Sequence, residues 1–288
     1  MQFWIFKAAS AVLAAFKVGG FGMRDFKDMR SRVTTVVIGM PLLLLCCYIG
    51  GWLLAALFAI LAVMAAYELA GLFVRRSFTV SFALDAPAAL LLTCTFGLIP
   101  GMIWPFAIAA PLTLLVYALW SKYREEPLAL TMARACATLY VGVGFGALLA
   151  LRLGYSDWRW IFLALINVWI TDSAAHLVGS LYGRNMLAPR ISPRKTWEGA
   201  LAGLVCGALL CSIYMSIFLQ MRFFSALPLA MLFSVAGQAG DLAESAFKRW
   251  AGVKDSGHIF PGHGGVLDRF DSLFLSAPLI LLLFCIIM

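Results

Sequence analysis

Charge is what this chain has least of. Asp, Glu, Lys and Arg make up 12% of its 288 residues, 63% are hydrophobic, and the mean hydropathy is +0.93. So little polar surface cannot cover a soluble globule, which excludes a water-soluble domain and leaves an integral membrane protein. Histidine is scarcer still, at three residues: His176, His258 and His263. No Ser-His-Asp order or Cys-His pair stands in a convincing context, so nucleophilic hydrolase chemistry finds no support. A G-x-x-x-x-G-K-[ST] loop is also absent, which removes the P-loop way of cradling a nucleotide. The seven cysteines (Cys46, Cys47, Cys94, Cys136, Cys206, Cys211, Cys285) lie inside apolar runs without metal-ligand spacing and read as small core hydrophobes. A net charge of +8 in a soluble protein would suggest nucleic acid. Here the cations sit in short loops between apolar runs, so they report topology, and no nucleic-acid partner is expected.

What is abundant is apolar sequence in runs long enough to cross a hydrocarbon core of roughly 30 Å, about 20 residues each. They fall at 33–49, 52–73, 82–98, 101–120, 133–151, 158–178, 200–220, 226–247 and 270–288, which predicts an all-α, polytopic membrane protein of about nine transmembrane helices. Two breaks are thin, Gly50-Gly51 and Pro100-Gly101; each interrupted run could be a helical hairpin or one long buried element, and length favours two spans, one on either side of the break. Residues 1–28 carry Lys7, Ser10 and Lys17 at helical spacing, which suits an N-terminal extension lying as an interfacial helix. After it come membrane helices over 29–155, then a charged membrane region over 156–288. Nineteen of the 22 Lys and Arg fall on one side under this layout, so the positive-inside rule makes the N-terminus cytoplasmic.

The polar residues concentrate between Gly240 and Ser272, GDLAESAFKRWAGVKDSGHIFPGHGGVLDRFDS. On a helix, Asp241, Glu244, Ser245 and Lys248 share one face while Leu242, Ala243, Ala246 and Phe247 take the other. Asp268, Asp271 and Ser272 repeat that spacing where the last apolar run begins, so two helix ends present carboxylates across a loop. The loop, P-G-H-G-G, suits either a phosphate held by backbone N–H groups or a tight turn between helices.

A second block runs TDSAAHLVGSLYGRNMLAPRISPRKTWEG, from Thr171 to Gly199. Asp172 and Asp241 sit at similar depth in their spans, where an unpartnered charge costs about 2.5–3.5 kcal/mol on insertion scales. A helix-to-helix hydrogen bond or a snorkelling charge is the plain alternative for Asp172, and a satisfied core histidine is the better reading of His176. Glu68 is a further buried carboxylate. It is read either as the partner of a loop cation or as a residue near the site.

The order S-A-F-K-R, K-D-S-G-H and P-G-H-G-G-V-L-D-R-F-D over Ser245–Asp271 resembles the signature of the phosphatidate cytidylyltransferase (CDP-diacylglycerol synthase) family. S-P-R-K-T-W-E-G resembles its second block, and Met29-Arg-Ser-Arg-Val its usual start. Ala174 and His176 depart from the D-S-G-A-Y more usual there. The resemblance implies cytidylyl transfer from CTP to phosphatidic acid in phospholipid biosynthesis. It also implies a multi-pass protein of the bacterial inner membrane and a homodimer, while the cation count puts both charged loops, and so the active site, on the cytoplasmic side. In the family the basic loop goes with the substrate phosphates, which assigns Ser192, Arg194, Lys195 and Thr196, with Asp172 beside them, to substrate binding.

That reaction joins two anions, so positioning and charge neutralisation carry it. A phosphate monoester has a second pKa of about 6 and needs no strong base. Mg²⁺ prefers oxygen ligands, and Asp241 and Asp268 are the expected ligands; whether a monovalent cation joins it stays open. Lys248, Arg269 and Asp271 complete the expected catalytic set. Lys248, Arg249, Lys254 and Arg269 balance the triphosphate, and His263, Gly264 and Gly265 shape the turn against it. A secondary transporter with intramembrane carboxylates, or a related membrane lipid kinase, remains the alternative. The transporter asks for carboxylates at the midplane and inverted repeats, and neither is visible.

Overall fold

A computed structural model of the protein describes residues 37–76, 82–98, 104–154, 157–257 and 264–287. Among them, each of the nine apolar runs has its own helix. The first six are α1 (Val37–Ile49), α2 (Gly51–Val74), α3 (Phe82–Leu98), α4 (Trp104–Arg124), α5 (Leu128–Leu153) and α6 (Trp158–Tyr182). A hairpin of β1 (Met186–Ala188) and β2 (Ser192–Thr196) follows, then α7 (Trp197–Phe218), α8 (Phe223–Trp250) and α9 (Leu267–Ile287). Six of the nine expected spans, α2 and α5 to α9, are long and apolar enough to cross a membrane. The N-terminal extension and the His258–His263 stretch lie outside the described residues.

The chain breaks at Gly50-Gly51 because both residues take left-handed φ, +71° and +64°, which only glycine adopts without strain. The break is also filled. Arg152 of α5 donates from Nε to the carbonyl of Cys47 (2.8 Å) and from Nη2 to those of Tyr48 (2.7 Å) and Ile49 (2.9 Å). It thereby caps the orphan carbonyls at the end of α1, and a Cβ on Gly50 would meet that guanidinium at 2.6 Å.

α5 and α9 form the centre. Phe145 of α5 packs on Phe58 of α2 and on Phe270 and Phe274 of α9, with ring centroids 5.7, 5.0 and 5.0 Å apart. Arg134, counted in the sequence as a loop cation, is instead buried in α5 at 1% exposure. It pairs with Asp85 of α3 and with Glu126, both at 3.0 Å, and Tyr117 of α4 donates to Asp85 (2.6 Å). Where no water enters, an ion is retained only with its counter-ions, and here those come from the neighbouring helix and turn. The reading of the cysteines as core residues holds for three of the seven, with Cys94, Cys206 and Cys285 partly buried. Cys46, Cys47 and Cys211 are buried, but Cys136 is exposed on an apolar helix.

Two features place the site. Gly199, Gly203 and Gly207 recur every fourth residue along α7 and face α6. A Cβ at the first two would come within 2.6 Å of the Ala175 carbonyl and 2.7 Å of the Thr171 carbonyl. Small residues at this spacing let backbones touch, so α6 and α7 lie close together up to the hairpin that joins them, where a Cβ on Gly199 would stand 3.1 Å from Cα of Gly179. The hairpin is the second. It is absent from the all-α expectation because three- and five-residue strands around Pro189 carry no alternating apolar pattern for a sequence to reveal. Its pairs are Met186 with Thr196 and Ala188 with Ser192. Glu198 closes it, accepting from the backbone N–H of Arg184 (3.2 Å) and of Asn185 (3.3 Å) and from Asn185 Nδ2 (2.7 Å). Thr196 then caps α7, its Oγ1 accepting from the Gly199 N–H at 3.2 Å.

Candidate functional site

α6, the hairpin, α7, α8 and α9 enclose one cavity of about 710 Å³. Its polar wall holds Asp172 and His176 from α6, Arg194, Lys195 and Thr196 from the hairpin, Asp241 and Lys248 from α8, Asp268, Arg269 and Asp271 from α9, and Asp255 from the loop between them. Its apolar wall holds Val168, Trp169, Leu187 and Leu273. Nine residues singled out in the sequence from two blocks roughly seventy positions apart thus share one cavity.

Close approach of α8 and α9 brings the carboxylates together. A Cβ on Gly240 would stand 3.2 Å from Cα of Ser272 and 3.3 Å from the carbonyl carbon of Asp271, so the helices touch one residue before Asp241. Tyr140 of α5 seals that contact, donating to the carbonyl of Asp271 (2.8 Å) with that of Gly240 at 3.3 Å. Below the polar wall, Asn167 Nδ2 donates to Ser234 Oγ (3.0 Å), which lies 3.2 Å from Thr171 Oγ1, tying α6 to α8.

Lysines are spent on these carboxylates. Lys195 Nζ lies 2.5 Å from Asp241 Oδ2. Lys248 Nζ lies 2.6 Å from Asp268 Oδ1 and also pairs with Glu244, one turn earlier on its own helix. Asp268 Oδ2 accepts from the N–H groups of Ser256 (3.0 Å) and Gly265 (2.8 Å), with Ser256 Oγ at 2.9 Å. Asp241 Oδ1 has only a long contact, 3.4 Å, from Ser245 Oγ. The sequence reading set Lys248 and Lys195 against phosphates. The fold also sets them against aspartates, since half-buried carboxylates this close to an ammonium are cheaper paired than bare.

The remaining expected residues lie elsewhere. Arg249 staples the hairpin to the end of α8, donating to the carbonyls of Ile191 (3.1 Å) and Val253 (2.8 Å). Ser192 is on β2, and Lys254 is exposed; neither is among the residues lining the cavity. Gly264 has φ +80° and Gly265 turns its N–H to Asp268, so this half of the loop acts as a tight turn onto protein carboxylates; His263 lies outside the described residues. Among the described residues Glu68 meets no loop cation. It accepts from the backbone N–H groups of Val266 and Leu267, each at 2.9 Å. Sequence reasoning passed over Trp169, Tyr140 and Gln238. Aromatics and a lone amide inside apolar runs give no signal of their own, while Asp255 was legible inside K-D-S-G-H.

Comparison with known proteins places this architecture. Residues 30–287 match the model of the cytidylyltransferase family. A phosphatidate cytidylyltransferase of Staphylococcus haemolyticus is 36% identical over 260 residues, covering 88% of this chain and 97% of that one. The enzyme of the same name from Staphylococcus aureus strain COL is 34% identical over 264 residues, with the same coverage. The chain belongs to the cytidylyltransferase family.

Proposed function

We propose that this protein transfers the cytidylyl group of CTP to phosphatidic acid, forming CDP-diacylglycerol and releasing pyrophosphate. The observation that carries the reading is the single cavity whose polar wall joins the two charged blocks and whose other wall is apolar. A lipid phosphate needs both surfaces, one for its headgroup and one for the start of its chains. The relatives named phosphatidate cytidylyltransferase, matched along nearly their whole length, supply the substrates. In the forward reaction a phosphate oxygen of phosphatidic acid bonds to the α-phosphorus of CTP and the bond to the pyrophosphate oxygen breaks. Arg194, Lys195, Lys248 and Arg269 line the space where those phosphates would lie. With most of the monoester already dianionic near neutrality, no residue has to remove a proton, and positioning with charge neutralisation does the work.

Five carboxylates and four Lys or Arg line the cavity, a wall with no surplus positive charge for two polyanions. A divalent cation fits that deficit and the hard oxygen donors present. Among the described residues no three His, Cys, Asp or Glu side chains form a metal cage, which suits Mg²⁺, an ion usually held by one or two carboxylates with water and substrate phosphates. Asp241 and Asp268 would hold it, sharing their oxygens with Lys195 and Lys248. When bound it supplies charge neutralisation at the phosphates. The test is to incubate purified protein with phosphatidic acid, labelled CTP and Mg²⁺; failure to form the labelled liponucleotide would sink the reading. Against a transporter, the carboxylates and cations gather at one end of the helices, beside the hairpin, rather than along a path through them.

The same proposal places this end at the cytoplasmic face of the inner membrane, with the N-terminus cytoplasmic and nine helices in the bilayer. With Arg134 withdrawn to the core, eighteen Lys and Arg still favour that side. Arg190 is exposed in the hairpin turn. A cysteine placed there, in a background lacking the native cysteines, is expected to react with a membrane-impermeant maleimide only in inverted vesicles. Labelling in intact cells would reverse the topology.

A further inference from the structure

α2 contributes no residue to the lining of the cavity, yet it is bonded to both ends of the loop that does. Glu68 is its only charged residue and is 4% exposed. Oε1 accepts from the N–H of Val266 and Oε2 from that of Leu267, both at 2.9 Å, and Oε2 lies 3.3 Å from Ser256 Oγ. Those amides open α9, where helical N–H groups have no partner within the helix and a carboxylate is favoured by the dipole. Asp268 is the next residue. Ser256, which faces Glu68, also gives its N–H to Asp268. The approach demands glycine on the loop side: a Cβ on Gly257 would stand 2.5 Å from Glu68 Oε1, and one on Gly265 would run into the same carboxylate.

Two turns further along, Phe73 of α2 and Arg76, just past the end of that helix, hold the other end. Arg76 donates to the Trp250 carbonyl at the end of α8, and its guanidinium lies 5.7 Å over the indole. Phe73 packs edge-on against Phe247 and Trp250 at 5.4 and 5.3 Å. The end of α8 and the start of α9 are therefore referenced to one rigid helix.

We infer that Glu68 is a positioning residue of the active site: from α2 it holds Ser256, Val266 and Leu267 in the place where Asp268 meets Lys248. A carboxylate in an otherwise apolar helix is costly, and what repays it here is the backbone that presents Asp268. The inference rests on reading Asp268 as part of the reacting centre. It touches neither Arg194 nor Lys195, which stand on the hairpin.

The test compares Glu68→Gln, which keeps the volume but turns one acceptor into a donor, with Gly265→Ala, which pushes the loop off an unchanged Glu68. Since misplacing a group by about 1 Å costs up to about a hundredfold, each variant is expected to lose about thirtyfold in kcat while KM for CTP changes less than about threefold. Hydrogen exchange in the peptide containing Val266 and Leu267 should quicken in both, and the double variant should fall no further than the worse single. Two folded variants with kcat within about twofold of wild type, and only a lower melting temperature, would overturn the inference by making the contact purely structural. If Glu68→Gln does not fold, Gly265→Ala decides alone. Absence of product from the wild-type protein would count against the reading of function instead, and the exchange of Val266 and Leu267 would still decide the clamp.

Discussion

Asp241→Asn and Asp268→Asn are each expected to lower CDP-diacylglycerol formation by about 10²-fold or more, the scale on which removal of one preorganised electrostatic group from a reacting centre is felt. The two losses should differ in kind. Asp241 is held by Lys195 at 2.5 Å and has only a long contact besides, so its amide leaves the fold intact and raises the Mg²⁺ concentration needed for half-maximal rate. Asp268 accepts from Lys248, Ser256 and Gly265 at once. An asparagine there can keep the loop donors only by turning its NH₂ toward the Lys248 ammonium, donor against donor. That variant should lose thermal stability as well as rate. The check is turnover against Mg²⁺ concentration for both proteins, with melting followed in detergent. Near-normal rates with an unaltered metal requirement would remove both aspartates from the ion.

Lys248→Met should be the most damaging single change to the fold of the site. Lys248, Glu244 and Asp268 have side chains 12%, 3% and 8% exposed, so the substitution leaves two buried carboxylates without their counter-ion, Glu244 outright and Asp268 with only its loop donors. Breaking a buried pair by deleting one partner costs about 3–5 kcal/mol, enough to show as a large drop in melting temperature. Adding Glu244→Gln removes one stranded charge and should recover much of that stability. Activity should not follow if, as proposed, Lys248 is also a cation for the substrate phosphates. A single variant that melts like wild type would mean the charges are not buried together. Recovery of turnover in the double variant would reduce Lys248 to a structural counter-ion.

Much of the lining of the candidate site was legible in one dimension, because a charged residue stands out in a membrane chain. Against 63% hydrophobic composition, a block such as K-D-S-G-H or S-P-R-K-T stands out, and a charge in an apolar run demands a reason. Pairing was not legible. The i, i+4 spacing on one helix shows Glu244 beside Lys248, but Lys195 and Asp241 are forty-six residues apart and meet only because the hairpin folds over α8. Arg249 shows the opposite failure: its charge and place in the signature suggested a phosphate, yet the nearest acceptors are backbone carbonyls of the hairpin and of its own turn.

The sequence by itself determined the class of the protein, the places of its helices and the two charged blocks that line the cavity, since hydropathy over some twenty residues and short polar motifs are local properties that survive without a fold. Tertiary structure alone decided which charges neutralise one another, that a hairpin stands in the basic loop, and that Arg134 and Arg152 are interior. It also decided that Glu68, nearly two hundred residues from Val266, holds the start of α9. These are contacts between helices, and in an apolar chain each orphan N–H or carboxylate must take whatever partner the packing brings within 3 Å.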